Sequence, residues 1–183
     1  MPRRPQAVLD LGLVRDLTLP HLDSAYSLAR WMLGSEQDAA DIVHTAFLRA
    51  ARYIHTYAGG NARAWWLSIV RNCCLATFSA RSAQHVSLDD ADTNGMADLA
   101  ADTREEPEEQ LHLSQSAALV AEELQRLLPE YREVLVLREI EDCSYREMAD
   151  ILSIPIGTVM SRLARARSQL RKSLTRNAES TQP

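Results

Sequence analysis

The sequence predicts an all-α protein of two small helical domains joined by a flexible acidic linker, the C-terminal domain being a helix-turn-helix. Three observations predict it. Apolar residues recur at helical spacing in both halves, while strand-like alternation is nearly absent. Periodicity fades between residues 83 and 110, where acids gather. Near the C-terminus a capped short helix, a tight turn and a longer basic helix follow one another.

Leu22, Ala25, Tyr26, Ala29, Met32 and Leu33 fall on one helical face. Gly34 ends that helix, and Ser35 with Asp38 opens the next through a capping-box pattern. Ala39, Val43, Ala46, Phe47, Ala50 and Ile54 form its buried stripe, which makes Phe47 a core residue rather than a surface contact. Ala58-Gly-Gly-Asn61 is a turn, and Asn61 can cap a third helix running to about Ser82. In it Trp65 and Trp66 are adjacent and cannot share a face, so one belongs to the core. Helical spacing resumes with Leu113, Ala117, Val120 and Leu124, after Pro107 has interrupted the chain. Pro129 starts the next helix at a position where its missing N–H costs nothing. Ser144 and Glu147 form a second capping box, and Pro155 begins the last helix. The expected organisation is an N-terminal extension (1–19), a first domain (20–82), a linker (83–110), a second domain (111–174) and a tail (175–183).

The composition, 46% hydrophobic and 25% charged over 183 residues, is that of an ordinary globular protein. No apolar run reaches the roughly 18 residues that span a bilayer, and Met1-Pro-Arg-Arg-Pro-Gln lacks the pattern of a secretory signal. A cytoplasmic protein without membrane insertion is expected. Three cysteines, the adjacent Cys73 and Cys74 and the distant Cys143, make neither a disulfide framework nor a chelating pair. No metal or other cofactor is expected.

The net charge of −5 speaks against nucleic acid at face value, but its distribution reverses that reading. Nine acids lie between Asp89 and Glu109 against Arg104 alone, whereas Ile151–Ala178 holds six bases and no acid. The acidic strip reads as a solvated tether, its alternative being a segment that touches a basic groove or mimics nucleic acid. In the last helix Val159, Leu163, Ala166 and Leu170 make the core face. Thr158, Ser161, Arg162 and Arg165 then lie outward, as a major-groove helix requires. Arginine forks suit guanine edges or phosphate, and hydroxyls suit either. The alternative is a solvated basic helix.

Ser144-Tyr-Arg-Glu-Met-Ala, Pro155-Ile-Gly-Thr-Val-Met-Ser-Arg-Leu and Ala164-Arg-Ala-Arg closely resemble the −35-reading domain of extracytoplasmic-function (ECF) sigma factors. Leu127-Leu-Pro-Glu-Tyr-Arg-Glu-Val-Leu-Val-Leu-Arg resembles the stretch that precedes this motif in the family. Ala39-Ala-Asp-Ile-Val-His-Thr-Ala-Phe-Leu-Arg-Ala resembles the helix that docks on the polymerase β′ clamp helices. Asn61-Ala-Arg-Ala-Trp-Trp-Leu-Ser-Ile-Val-Arg-Asn resembles the helix that melts and holds the −10 element.

The resemblance implies a factor that binds core RNA polymerase through the β′ clamp helices and the β flap and directs it to promoter DNA under an anti-sigma factor. It implies −35 contacts from Thr158, Ser161, Arg162, Arg165 and Arg167. For the −10 element it implies Tyr57, Asn61, Arg63, Trp65, Arg71 and Asn72, with the Tyr57–Asn61 turn receiving a flipped base. For the polymerase it implies Asp38, Asp41, His44 and Arg49. The chain departs from the family pattern at His44-Thr45, after Asn72 where few bases follow, and at Met160. Two rival readings are a stand-alone helix-turn-helix regulator and a sigma mimic that sequesters an anti-sigma factor. An enzyme is disfavoured, since no nucleophile–base set or metal spacing appears.

Overall fold

The computed structural model describes the backbone of residues 11–85 and 107–180 and the side chains of residues 11–81 and 117–177. Eight α-helices occur among them: α1 (Leu11–Thr18), α2 (Leu22–Leu33), α3 (Glu36–Tyr53), α4 (Ala62–His85), α5 (Pro107–Arg126), α6 (Pro129–Leu135), α7 (Tyr145–Leu152) and α8 (Ile156–Ser180). Short 3-10 turns follow α1 and α3, and a π-helical turn, Val136–Ile140, follows α6. No strand occurs among the described residues.

The N-terminal module is α2, α3 and α4 with α1 laid across them. Its boundaries follow local chemistry. Gly34 takes φ 75°, the left-handed conformation that ends α2, and its N–H donates to the Arg30 carbonyl at 2.8 Å. Ser35 then accepts the Asp38 N–H at the start of α3. Asn61 caps α4 by accepting the Ala64 N–H at 3.0 Å. Alanines 39, 46 and 50 keep α3 thin on its inner face, so α2 and α4 approach closely around Leu28, Met32, Leu67 and Val70. Trp66 is the tryptophan that the core takes, with no exposed surface. Trp65 stays half-buried beside Tyr57, ring centroids 5.3 Å apart. α1 lies within the stretch expected to be an N-terminal extension. It is a packed helix because Val14 is fully buried and Thr18, 1% exposed, returns its hydroxyl to the Val14 carbonyl at 2.8 Å.

The C-terminal module is α5 to α8. α4 and α5 each reach further into the expected linker than periodicity suggested, to His85 and from Pro107. Pro107 opens α5 rather than interrupting the chain, because the first helical position needs no N–H donor. Most of the acidic strip expected to be a flexible linker lies outside the described residues. α8 continues to Ser180, past the expected boundary, and Glu123 on α5 accepts from Asn177 at 2.8 Å. α7 opens with a complete capping box between Ser144 and Glu147 and ends at Ser153, φ 54°. Pro155 precedes the first residue of α8 and accepts the Thr158 and Val159 N–H groups.

The two modules pack against each other. α6 is buried on every side from Arg132 to Leu135, because α8 covers one face and the N-terminal module another. Arg132, 5% exposed, is the central tie. Its Nε donates to the Leu124 carbonyl at 2.9 Å, and Nη2 to those of Leu127, at 3.1 Å, and Gln125. Nη1 donates to the carbonyl of Met32 at the end of α2. Burial pushes this guanidinium down to about 10, still protonated at neutral pH. Gln125 reinforces the junction through the Trp31 carbonyl at 2.7 Å. A side chain at Gly34 would meet Gln125 at 3.0 Å.

Replacing Arg132 by Met leaves these buried carbonyls without their donor. The expected loss is about 2–4 kcal/mol of unfolding free energy in urea. A loss below about 1 kcal/mol would mean that water reaches and satisfies those carbonyls instead.

Candidate nucleic-acid interface

The helix-turn-helix presents α8 as the sequence divides it. Val159, Leu163 and Ala166 are buried against α6 and α7, which fixes the tilt of the helix. Ser161 and Arg165 are exposed, and Thr158 is half-buried near the helix start. Arg165 has no hydrogen-bond or ion-pair partner among the described residues, so its fork is available to a ligand. Ser161 donates to the Thr158 carbonyl at 3.0 Å. Arg162 turns inward toward Glu133 at 3.6 Å and Glu130 at 3.8 Å, too long for direct hydrogen bonds. Arg167 donates to Glu139 at 2.6 Å, and this contact raises its already high pKa. Of the arginines expected to read DNA here, Arg165 alone is both exposed and unpaired among the described residues.

The second candidate surface begins at the Tyr57–Asn61 turn. Gly59 and Gly60 have φ 88° and 99°, a conformation that L side chains rarely adopt. The turn is closed by the Tyr57 hydroxyl, which donates to the Gly60 carbonyl at 2.9 Å. Tyr57 and Trp65 flank it as an aromatic pair, the kind of wall on which a base can stack. The polar residues around this turn face the other module. The Asn61 amide donates to Glu147 at 2.8 Å. Arg63 donates to the Glu141 carbonyl at 2.6 Å, to its carboxylate at 3.2 Å and to Ser24 at 3.2 Å. Arg71 grips both carboxylate oxygens of Glu133, at 2.7 and 3.1 Å. Asn72 remains exposed.

A third surface is the outer face of α3. Asp41, His44 and Leu48 recur at spacings of three and four and are exposed, Leu48 to 51%. Arg49 is exposed beside them, whereas Asp38 is held by Arg81 at 2.6 Å. This arrangement offers a partner helix an apolar contact rimmed by polar groups. Phe47 is partly buried against the core, not presented outward.

Sequence reasoning missed the acceptors Glu133 and Glu141, and it saw Glu147 only in its capping box and not as the partner of Asn61. Their pairing partners lie 62 to 86 positions away, beyond any periodicity. A signal existed in the unbroken apolar run Val134–Leu137, which announces a helix covered on all sides.

The family model described as Sigma-70 region 2 matches residues 17–84, and that described as Sigma-70, region 4 matches residues 117–170. The ECF RNA polymerase sigma factor SigW of Bacillus subtilis is 30% identical over 170 residues, 90% of each chain. The chain belongs to the ECF sigma factor family. The ECF sigma factor SigE of Mycolicibacterium smegmatis is 32% identical over 166 residues, 91% of this chain but 63% of that longer protein. The sigma factor RpoE of Bartonella quintana, solved in complex with the anti-sigma factor NepR, shares the fold. Its TM-score is 0.71 at 22% identity, covering 88% of this chain and 98% of that one. The region 2 match includes all of α2, α3 and most of α4, and the region 4 match runs from within α5 into α8.

Glu147 links the helix-turn-helix to the region 2 turn and is the group most open to a pH test. The Ser144 N–H, the Ser144 hydroxyl and the Asn61 amide hold its carboxyl below the ordinary glutamate range. A depressed folded value stabilises the fold above the ordinary range, and that contribution is lost as pH falls through the folded value. Urea midpoints should therefore fall more steeply below the ordinary glutamate range for the wild type than for Glu147→Gln. Parallel curves would show that this carboxylate contributes nothing to acid sensitivity.

Proposed function

We propose that this sigma factor binds core RNA polymerase, recognises −35 and −10 promoter elements, melts the latter and so starts transcription, under the control of an anti-sigma factor. The observation that supports it most is the presence of both sigma regions in one chain, in order, with an exposed Arg165 face on α8. Arg165 and Ser161, with Thr158 at the helix start, are assigned to the −35 major groove. Tyr57, Trp65, Asn61, Arg63, Arg71 and Asn72 are assigned to the melted −10 strand. Asp41, His44 and Arg49 are assigned to the β′ clamp, and the C-terminal module to the β flap. The factor acts in the cytoplasm by binding and not by catalysis, and no described helix is long and apolar enough to cross a membrane. Each module offers few phosphate contacts, so promoter affinity comes from joining them on the polymerase.

Run-off transcription with core RNA polymerase on a random promoter library is the direct test. Transcripts should require this protein and share a −35 and a −10 sequence. Tight operator binding without polymerase, together with no factor-dependent transcript, would favour a stand-alone regulator. Arg165→Ala should reduce −35-dependent initiation by about 10- to 100-fold, corresponding to roughly 1–3 kcal/mol for one bidentate contact, with an unchanged urea midpoint. Equal activity of the two proteins on intact and scrambled −35 sequences would remove Arg165 from the contact.

A further inference from the structure

Arg63 and Arg71 stand eight residues apart on α4, about 12 Å along its axis, and both are occupied from the C-terminal module. The Glu133 carboxylate, 1% exposed, takes the Arg71 fork in the two-pronged geometry that a phosphate would otherwise take. Glu141, 8% exposed, takes Arg63 through both its carboxylate and its carbonyl. Glu147 takes Asn61 at the mouth of the turn. Glu133 also lies 3.6 Å from Arg162, so one carboxylate stands between a cation of each DNA-reading helix.

We propose that Glu133 and Glu141 form a carboxylate clasp that closes the free sigma factor by substituting for the phosphates of the promoter strand. The inference rests on the −10 role assigned above to Arg63 and Arg71. A guanidinium whose Nε and Nη2 are both engaged by Glu133 cannot present the same edge to DNA, so strand and clasp are mutually exclusive. The exchange is well matched in chemistry, since one anion replaces another on the same donors, and a strand that binds only the open form shifts the population toward it. The closed form binds DNA more weakly in proportion to the rarity of the open form. Glu133 and Arg162 belong to the same module, so opening frees Arg63 and Arg71 and leaves Glu133 beside Arg162.

The test uses the full chain and the Glu133→Gln, Glu141→Gln and double variants. Small-angle scattering reads the separation of the modules. Fluorescence anisotropy with a labelled oligothymidine strand reads access to the −10 face, since that probe needs only phosphate and stacking contacts. The double variant should keep its helical circular dichroism, show a larger radius of gyration and bind the strand about tenfold more tightly. Adding Arg71→Ala should cancel that gain. An unchanged radius and affinity in helical variants overturns the clasp. So does expansion without any gain in affinity, because the freed cations would then not be DNA-reading groups. Should the buried Glu133→Gln cost helicity, Glu141→Gln alone decides the matter by the same two readouts. Wild-type run-off transcription separates the two claims: its absence strikes the sigma activity, while its presence beside unresponsive variants strikes only the clasp.

Discussion

A buried guanidinium with carbonyl partners sets the arrangement of this molecule. Removing Arg132 from water is costly, and the cost is offset only where several oriented dipoles converge on it. The carbonyls at the C-terminal end of α5 and at the end of α2 supply that convergence, and helix C-termini carry the partial negative charge that suits a cation. Phe78 adds its ring face, 5.6 Å from the guanidinium carbon. One side chain thus fixes α6 against its own module and against the other. Glu133, the next residue, is carried with it to Arg71.

The consequence is a surface with two sets of partners. The face of α4 that resembles a strand-holding helix is covered by acids from the region that resembles a −35 reader. The aromatic pair beside the Gly59-Gly60 turn keeps its own local geometry through the Tyr57 hydroxyl and the glycine φ angles. Its shape therefore does not depend on the modules being apart. Preorganisation at the turn and occupation of the arginines are separate properties, and only the second involves the other module. α8 differs again: its apolar stripe is satisfied within the C-terminal module, and Arg165 projects from the opposite side.

Much of the fold was legible in local chemistry. Gly34, Ser35, Asn61, Pro129 and the Ser144–Glu147 capping box act within a few residues of themselves, so they mark helix ends wherever those helices pack. Helical spacing picked out Val159, Leu163 and Ala166 because a stripe must be buried against something. Elsewhere the same signals were silent. Periodicity cannot choose between Trp65 and Trp66, since adjacent residues differ by one step of the helix; the assembled core took Trp66, which is fully buried. Nor could it foresee α1, whose burial of Val14 exists only once α3 and α4 have assembled.

The sequence by itself determined the helices, their caps, the helix-turn-helix and the family, because each is written in residues close together along the chain. Only the tertiary structure decided where Arg63, Arg71 and Arg162 point and which acids they meet. Those pairings join positions 29 to 78 apart. Charge pairing over such separations has no period: the pairs of Arg63 and Arg71 form when Arg132 and its carbonyls bring the two modules together, and that of Arg162 when α6 packs on α8.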